Sequence, residues 1–252
     1  MTAVIEAREL GKRYGRRWAL ADCTLSVPAG SVAGLVGPNG AGKTTLLHLV
    51  TGLITPTAGT IEVAGGRPAV SRAQLAQVGF VAQDAPVYAA MSIADHLRMG
   101  ARLNRRWDAR GAAERLSRLG LDPRQQAGRL SGGQRAQLAL TLAVAKRPRL
   151  LVLDEPAASL DPLARRDFLT DLAAATAAHQ VSVVLSSHLV ADIERACDYL
   201  IVLAAGRVQM AGVVTELLGA HRLRAGAQAS LEDLVLEYMS PAAGHPSPEG
   251  AR

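Results

Sequence analysis

The chain has 252 residues, 49% hydrophobic and 20% charged, with a formal net charge of +6, which is the balance of a folded chain able to bury a substantial core rather than a disordered one. No apolar run reaches the roughly 18–20 residues that a membrane-spanning helix needs, and no charged-plus-apolar leader opens the chain, so a cytosolic protein is expected. Two cysteines, Cys23 and Cys197, stand far from any His/Cys cluster, which argues against a metal site or disulfide framework and for small packed side chains in a reducing compartment.

Up to residue 83 the chain alternates short apolar runs with turn signals. Val4-Ile5, Leu25-Ser26-Val27 before Pro28-Ala29-Gly30, the run 32–36, Ile61-Glu62-Val63 before Ala64-Gly65-Gly66, and Val78-Gly79-Phe80-Val81 read as strands. Leu46-Leu47-His48-Leu49-Val50 reads as a helix. From Ser92 to Arg118 the texture changes: Ile93, Leu97, Leu103, Leu116 and Leu119 stand among Ala and Arg with few strand formers, which predicts helices. Ten arginines fall between Arg98 and Arg135 against Asp108, Glu114 and Asp122, so this segment alone carries +7. Such a stretch reads as a nucleic-acid surface, a contact with anionic lipid, or a solvated face. Its only aromatic residue is Trp107, which argues against single-strand binding by base stacking.

Three helix–strand alternations follow: 134–146 then 150–153, 162–178 then 181–185, and 189–196 then 199–203. That order predicts an α/β fold with a mainly parallel sheet covered on both faces. Residues 215–239 read as one or two closing helices. The tail 241–252, with three prolines and two glycines, reads as disordered. The expected organisation is one domain over 1–240: a core of 1–85 and 136–215, a helical insertion at about 86–135, and closing helices at 215–240.

The most informative stretch is Gly37-Pro38-Asn39-Gly40-Ala41-Gly42-Lys43-Thr44-Thr45, which fits the phosphate-loop pattern G-x-x-x-x-G-K-[ST] between a strand and a helix. Its backbone N–H groups are placed to hold phosphate oxygens, Lys43 to reach the β- and γ-phosphates, and the Thr44 hydroxyl to bind Mg²⁺. Ligands of open parallel sheets bind outside the carboxyl ends of the strands. Strand 150–153 ends in Asp154-Glu155-Pro156, and strand 181–185 ends in Ser186-Ser187-His188. Asp154 is then a cation ligand and Glu155 a base for water, or the two acids cap a helix. His188 reads as a phosphate or water contact, or as a capping histidine. Gln83, after Phe80-Val81-Ala82, is a further polar strand-end residue. Leu130-Ser131-Gly132-Gly133-Gln134 opens a helix with a second set of N–H groups suited to phosphate. A symmetric head-to-tail pair of chains brings one chain's loop to the other's Ser-Gly-Gly.

Together these residues resemble the ATP-binding-cassette family, over about residues 4–212. The resemblance assigns Gly37–Thr44 to the Walker A loop, Gln83 to the Q-loop and Leu130–Gln134 to the signature. Leu150–Glu155 match Walker B, Ser159-Leu160-Asp161 the D-loop and His188 the switch histidine. It implies a RecA-like P-loop NTPase core with an antiparallel β portion and an inserted helical subdomain. Tyr14 takes the place where the family stacks an aromatic ring on adenine; the plain alternative is a surface tyrosine. By the same resemblance Glu155 is the general base, and Thr44, Gln83 and Asp154 attend Mg²⁺. Ser131, Gly132, Gly133 and Gln134 serve the ATP of a partner chain in a homodimer. The membrane-spanning segments are expected on a separate permease subunit, with this chain peripheral on the inner face of the cell membrane. The end of the chain, 230–239, resembles bacterial exporter subunits of the drug and antibiotic class. The rival expectations are a cassette ATPase acting on ribosomes or nucleic acid, and a regulator that binds nucleotide with little hydrolysis.

Overall fold

The computed structural model describes residues 2–158, 160–177, 181–226 and 228–239. The tail 241–252, Ala178 and Ser159 lie outside them. In chain order the elements are β1 (Ala3–Tyr14), β2 (Arg17–Pro28), β3 (Val32–Val36), α1 (Lys43–Thr51), β4 (Ala58–Val63), α2 (Arg72–Ala76) and β5 (Val78–Val81). Then come α3 (Ile93–Leu103), α4 (Ala109–Arg118), α5 (Gly132–Ala145), β6 (Leu150–Leu153), α6 (Pro162–Ala177), β7 (Ser182–Ser186), α7 (Val190–Ala196), β8 (Tyr199–Ala204), β9 (Arg207–Val213), α8 (Val214–Ala225) and α9 (Leu231–Met239).

Two sheets form. A six-stranded sheet runs β5-β6-β7-β3-β8-β9, parallel throughout except that β9 turns back antiparallel on β8. The order departs from sequence order because each parallel neighbour needs a helical crossover. A second, antiparallel sheet runs β2-β1-β4. Strands β6, β7 and β8 are buried on every residue, as continuous apolar runs must be when both faces of a sheet are covered. Between the two sheets lies α1. Nine residues with no side-chain cap would not hold a helix in water. Its Leu46, Leu47, Leu49 and Val50 are all buried, each contributing about 1.5–3 kcal/mol, so packing rather than propensity fixes the helix.

The insertion has a core of its own: Ile93, Leu116, Leu121, Ala127 and Leu130 pack together and close on Leu138 of α5. Arg115 ties it to the main body. The buried guanidinium donates to Thr141 Oγ1 at 3.1 Å and Gln137 Oε1 at 2.8 Å, with Asp171 Oδ2 3.7 Å away. Burial pulls its pKa below the ordinary range, and Asp171 pulls it back up. Both cysteines are packed as expected. Burial raises each thiol pKa, that of Cys197 to about 12. Four elements differ from the sequence reading. Strands β1 and β2 run twelve residues each, well beyond the apolar cores that mark them. Helix α2 and strand β9 were not legible at all: α2 buries no residue, and β9 is only half-buried along its length.

Candidate functional site

Strands β3, β5, β6, β7 and β8 all end at one edge of the sheet, and the site is built there. Six residues carry the chain from the end of β3 to the start of α1. A Cβ at Gly37 would fall 2.1 Å from the Leu203 carbonyl oxygen, so only glycine passes beside the end of β8. Gly42 caps α1 at φ 105° with no side-chain hydrogen bond, and a Cβ there would meet the Ala19 oxygen at 2.7 Å. The first-turn N–H groups of α1 are therefore left for an anion, at the positive end of the helix.

Lys43 is 6% exposed. Its Nζ donates to the Gly37 oxygen at 2.7 Å and stands 3.4 Å from Glu155 Oε1. The other Glu155 oxygen lies 3.3 Å from His188 Nδ1. Loop cation, acid and histidine, from three strand ends, thus form one chain of contacts. Ser186, the last residue of β7, sets the acids: its Oγ donates to Asp154 Oδ1 at 2.8 Å and accepts from the Glu155 N–H at 2.8 Å. Glu155 has φ 43°, a left-handed conformation that costs a non-glycine residue about 1 kcal/mol or more. It is retained where Glu155 reaches Lys43 and His188. The helix-capping alternative for Asp154-Glu155 is overturned. The next helix, α6, is capped instead by Asp161, whose Oδ1 accepts from Leu163 N at 3.0 Å and Ala164 N at 2.9 Å.

The cavity over this edge measures about 970 Å³, at the upper end of the range for small-molecule sites. Of the sequence-predicted residues, Tyr14, Pro38, Asn39, Gly40, Gly42, Lys43, Thr44, Thr45, Gln83, Glu155 and His188 line it. Gly37, Ala41 and Asp154 do not line it: Ala41 and Asp154 are buried, and Asp154 shares the Ser186 hydroxyl with Glu155. Tyr14 is 52% exposed at the mouth, with Lys12 Nζ 5.4 Å from its ring centre. Sequence reasoning missed Arg17, Trp18, Ala19, Ala158, Ala205 and Gly206, which also line the cavity. Trp18 lies across Gly11, where a Cβ would come 2.9 Å from its ring. The turn Ala205-Gly206 is bound to β2 and to the phosphate loop through Ala21 N to Gly206 O at 2.8 Å and Gly206 N to Ala41 O at 3.2 Å. A glycine two positions from a tryptophan's cross-strand partner, or a turn far down the chain, gives no local signal.

The second helix start differs. Ser131 and Gln134 form a capping box: Ser131 Oγ accepts from Gln134 N at 3.2 Å, and Gln134 Oε1 accepts from Ser131 N at 3.0 Å. Two of the N–H groups expected to be free for phosphate are thus already used. Those of Gly132 and Gly133 remain without a partner among the described residues. None of the four lines the cavity of its own chain, and Asp161 does not either. In the arginine-rich segment, Arg98 pairs with Asp95, Arg110 with Glu114, and Arg115 is buried.

A magnesium ion fits the residues present. Among the described residues no cluster of three or more His, Cys, Asp or Glu could hold a metal. Magnesium does not require one, since it takes one or two carboxylates and relies on substrate phosphates and water for the rest. Thr44 and Gln83 supply hydroxyl and amide oxygens in the cavity wall, and Asp154 supplies the carboxylate behind it.

Residues 20–158 match the sequence model of the family described as ABC transporter. The chain belongs to that family. This ABC chain is 36% identical over 226 residues to the Nod factor export ATP-binding protein I of Cupriavidus metallidurans, covering 86% of this chain and 74% of that protein. It is 35% identical to the Fe(3+) ions import ATP-binding protein FbpC 2 of Rhodococcus jostii over 86% of its own length and 64% of that protein's. It is also 35% identical to the molybdenum import ATP-binding protein ModC of Rhodobacter capsulatus, over 78% and 56% respectively. The chain thus spans little more than half to two thirds of those two importers' length. Among solved structures, an ATP-binding subunit of an ABC transporter superposes with a TM-score of 0.82 at 28% identity, covering 94% of this chain and all of that one. The cbiO1 structure from Clostridium perfringens matches in fold, with a TM-score of 0.73 at 24% identity over 90% and 97% of the two chains. The relatives named include both importers and an exporter, so the lean to export drawn from residues 230–239 finds no single direction among them. No helix of the described residues is long and apolar enough to cross a membrane.

Proposed function

We propose that this ABC chain binds ATP in the cavity at the sheet edge and hydrolyses it as a head-to-tail pair of chains, driving substrate through a separate transmembrane permease. The observation that carries the reading is the contact chain Lys43–Glu155–His188, which draws three strand ends to one cavity. The phosphate loop offers uncapped N–H groups to the phosphates, and Lys43, now paired with Glu155, transfers to them and leaves Glu155 free. Glu155 accepts the proton of the water that attacks the γ-phosphorus, as the bond to the β–γ bridging oxygen breaks and ADP leaves. His188, bonded to Glu155, orients that carboxylate and contacts the γ-phosphate. Thr44, Gln83 and Asp154 would hold magnesium, which would supply neutralisation of phosphate charge. Tyr14 stacks on the base at the cavity mouth.

Ser131 to Gln134 stand outside the cavity of their own chain, which supports their serving a partner's ATP, and Asp161 would lie at the same seam. The helical insertion is the part that would dock on the permease and hold the chain at the inner face of the membrane. Export as the direction rests on the resemblance of residues 230–239 and on the Nod factor export relative. The test is light scattering on Glu155→Gln with saturating ATP and magnesium. A doubling of mass is expected; single chains at every nucleotide concentration would remove the paired site.

A further inference from the structure

At the opposite edge of the same sheet, where β6 and β7 begin and the chain enters β3, lies a second cleft of about 520 Å³. Because β3, β6 and β7 are parallel, this edge is as far from the nucleotide cavity as the strands are long. Three guanidinium groups line it, from Arg106, Arg147 and Arg149, and no acidic side chain does. The rest of the lining is small or backbone, including Thr2, Gly30 and Ser182. Arg106 comes from the helical insertion, between α3 and α4, while Arg147 and Arg149 flank Pro148 just ahead of β6. The cleft therefore bridges the insertion and the core.

The three cations are not equivalent. Arg147 is paired and held in place, its Nε and Nη2 3.3 and 3.0 Å from Asp108 Oδ2. Arg106 and Arg149 have no side-chain partner among the described residues and are exposed. The backbone of Arg149 is nevertheless fixed. Arg147 has φ 51°, the ring of Pro148 fixes that residue's own φ, and Arg149 donates its N–H to Gln77 O at 2.8 Å and accepts from Ser182 N at 3.1 Å at its carbonyl oxygen. Two guanidiniums without a side-chain partner, presented from a turn and a neighbouring loop with a third beside them, offer the forked donors that suit phosphate oxygens. The volume suits a small ligand.

We infer that this cleft is an anion site for a phosphate-bearing ligand, separate from the nucleotide cavity and placed to couple the insertion to the core. The shared chemistry is an anionic phosphate group, from either a free diphosphate or an anionic lipid headgroup. The inference does not depend on the hydrolysis scheme. The test uses the full chain saturated with ADP and magnesium, so that the phosphate loop is filled, against Arg106→Ala/Arg149→Ala and a single Arg106→Glu. In one arm pyrophosphate is titrated by calorimetry; in the other, phosphatidylglycerol and phosphatidylcholine vesicles are co-sedimented with the protein. Pyrophosphate binding that weakens tenfold or more in the double variant and is lost in Arg106→Glu, with ADP affinity unchanged within twofold, establishes a free-anion site. Co-sedimentation with phosphatidylglycerol alone, lost in both variants, establishes a headgroup site. If neither probe binds the unsubstituted chain, or the variants bind as well as it does, the site does not exist.

Discussion

Two helices of this chain begin with glycines and stand ready for an anion, yet they are built in opposite ways. At α1 the cap is Gly42, locked at φ 105° against Ala19 and giving no side-chain bond. Its first turn is closed over by a cavity that also holds Lys43, Glu155 and His188. At α5 the cap is Ser131, which completes a capping box with Gln134. A Cβ at Gly132 would meet nothing within 4 Å, and one at Gly133 only ordinary contacts at 3.7 and 3.8 Å. The first start is uncapped, crowded and equipped for chemistry. The second is self-satisfied, open and lacks chemistry of its own. A helix start that already bonds two of its donors internally is stable without a ligand, so it can stand exposed on the surface.

The largest expected effect tests the equipped end. Glu155→Gln should lower the steady-state rate of phosphate release at least a hundredfold, the usual scale for losing a general base, with nucleotide affinity retained. Turnover within a few fold of the original would move the base elsewhere. Next comes the loop. Gly42→Ala forces a Cβ against the Ala19 oxygen in a left-handed conformation, and Lys43→Ala removes the buried cation. Each should weaken ATP binding tenfold or more in an equilibrium titration of single chains. Gly132→Ala is the matched control at α5, and single-chain ATP affinity there should not change. An equal loss in both would erase the contrast between the two helix starts.

Ser131→Ala sharpens the contrast further. Removing an N-cap serine costs about 1 kcal/mol, a fall in melting temperature of roughly 2–4 °C for a chain of this size. Binding of ATP to single chains should be untouched, while hydrolysis at concentrations where chains pair should drop. A variant that loses hydrolysis only as far as it loses folded protein would reduce Ser131 to a stabilising cap.

How far these features were legible follows from where their information sits. The phosphate loop, Asp154-Glu155 and Ser186-Ser187-His188 each combine a strand, a break and a polar group within ten residues, and the structure brings Lys43, Glu155 and His188 from them to one edge. The capping box at Ser131 was half-read: serine and glycines marked a helix start, but the return bond from Gln134 uses donors that the pattern left free. What escaped is non-local. Arg17, Trp18, Ala205 and Gly206 enter the cavity because β2 and the β8–β9 turn are bonded together across some 185 residues, as in Ala21 N to Gly206 O. Strands β1 and β2 hide their length behind register shifts and the left-handed Glu9 and Asp22, which interrupt the alternation that marks a strand.

The smallest expected effect concerns a third helix start, that of α3, where Ser92 and Asp95 form another capping box. Hydrogen bonds from Ser92, first its side chain and then its backbone, hold the Asp95 carboxyl below the usual aspartate pKa. A depressed folded-state pKa means that the bond stabilises the helix at pH values above the unfolded pKa near 3.8 and is lost as pH falls through the lower folded value. The insertion's first helix should therefore fray in acid, below about pH 4. The box at Ser131 uses Gln134 instead, which does not titrate, so α5 should keep its start over the same range. Amide exchange of residues 93–96 and 132–135 between pH 3 and 5 measures both. Loss of protection at both helices together would mean that acid acts on the fold as a whole and not on the carboxylate box.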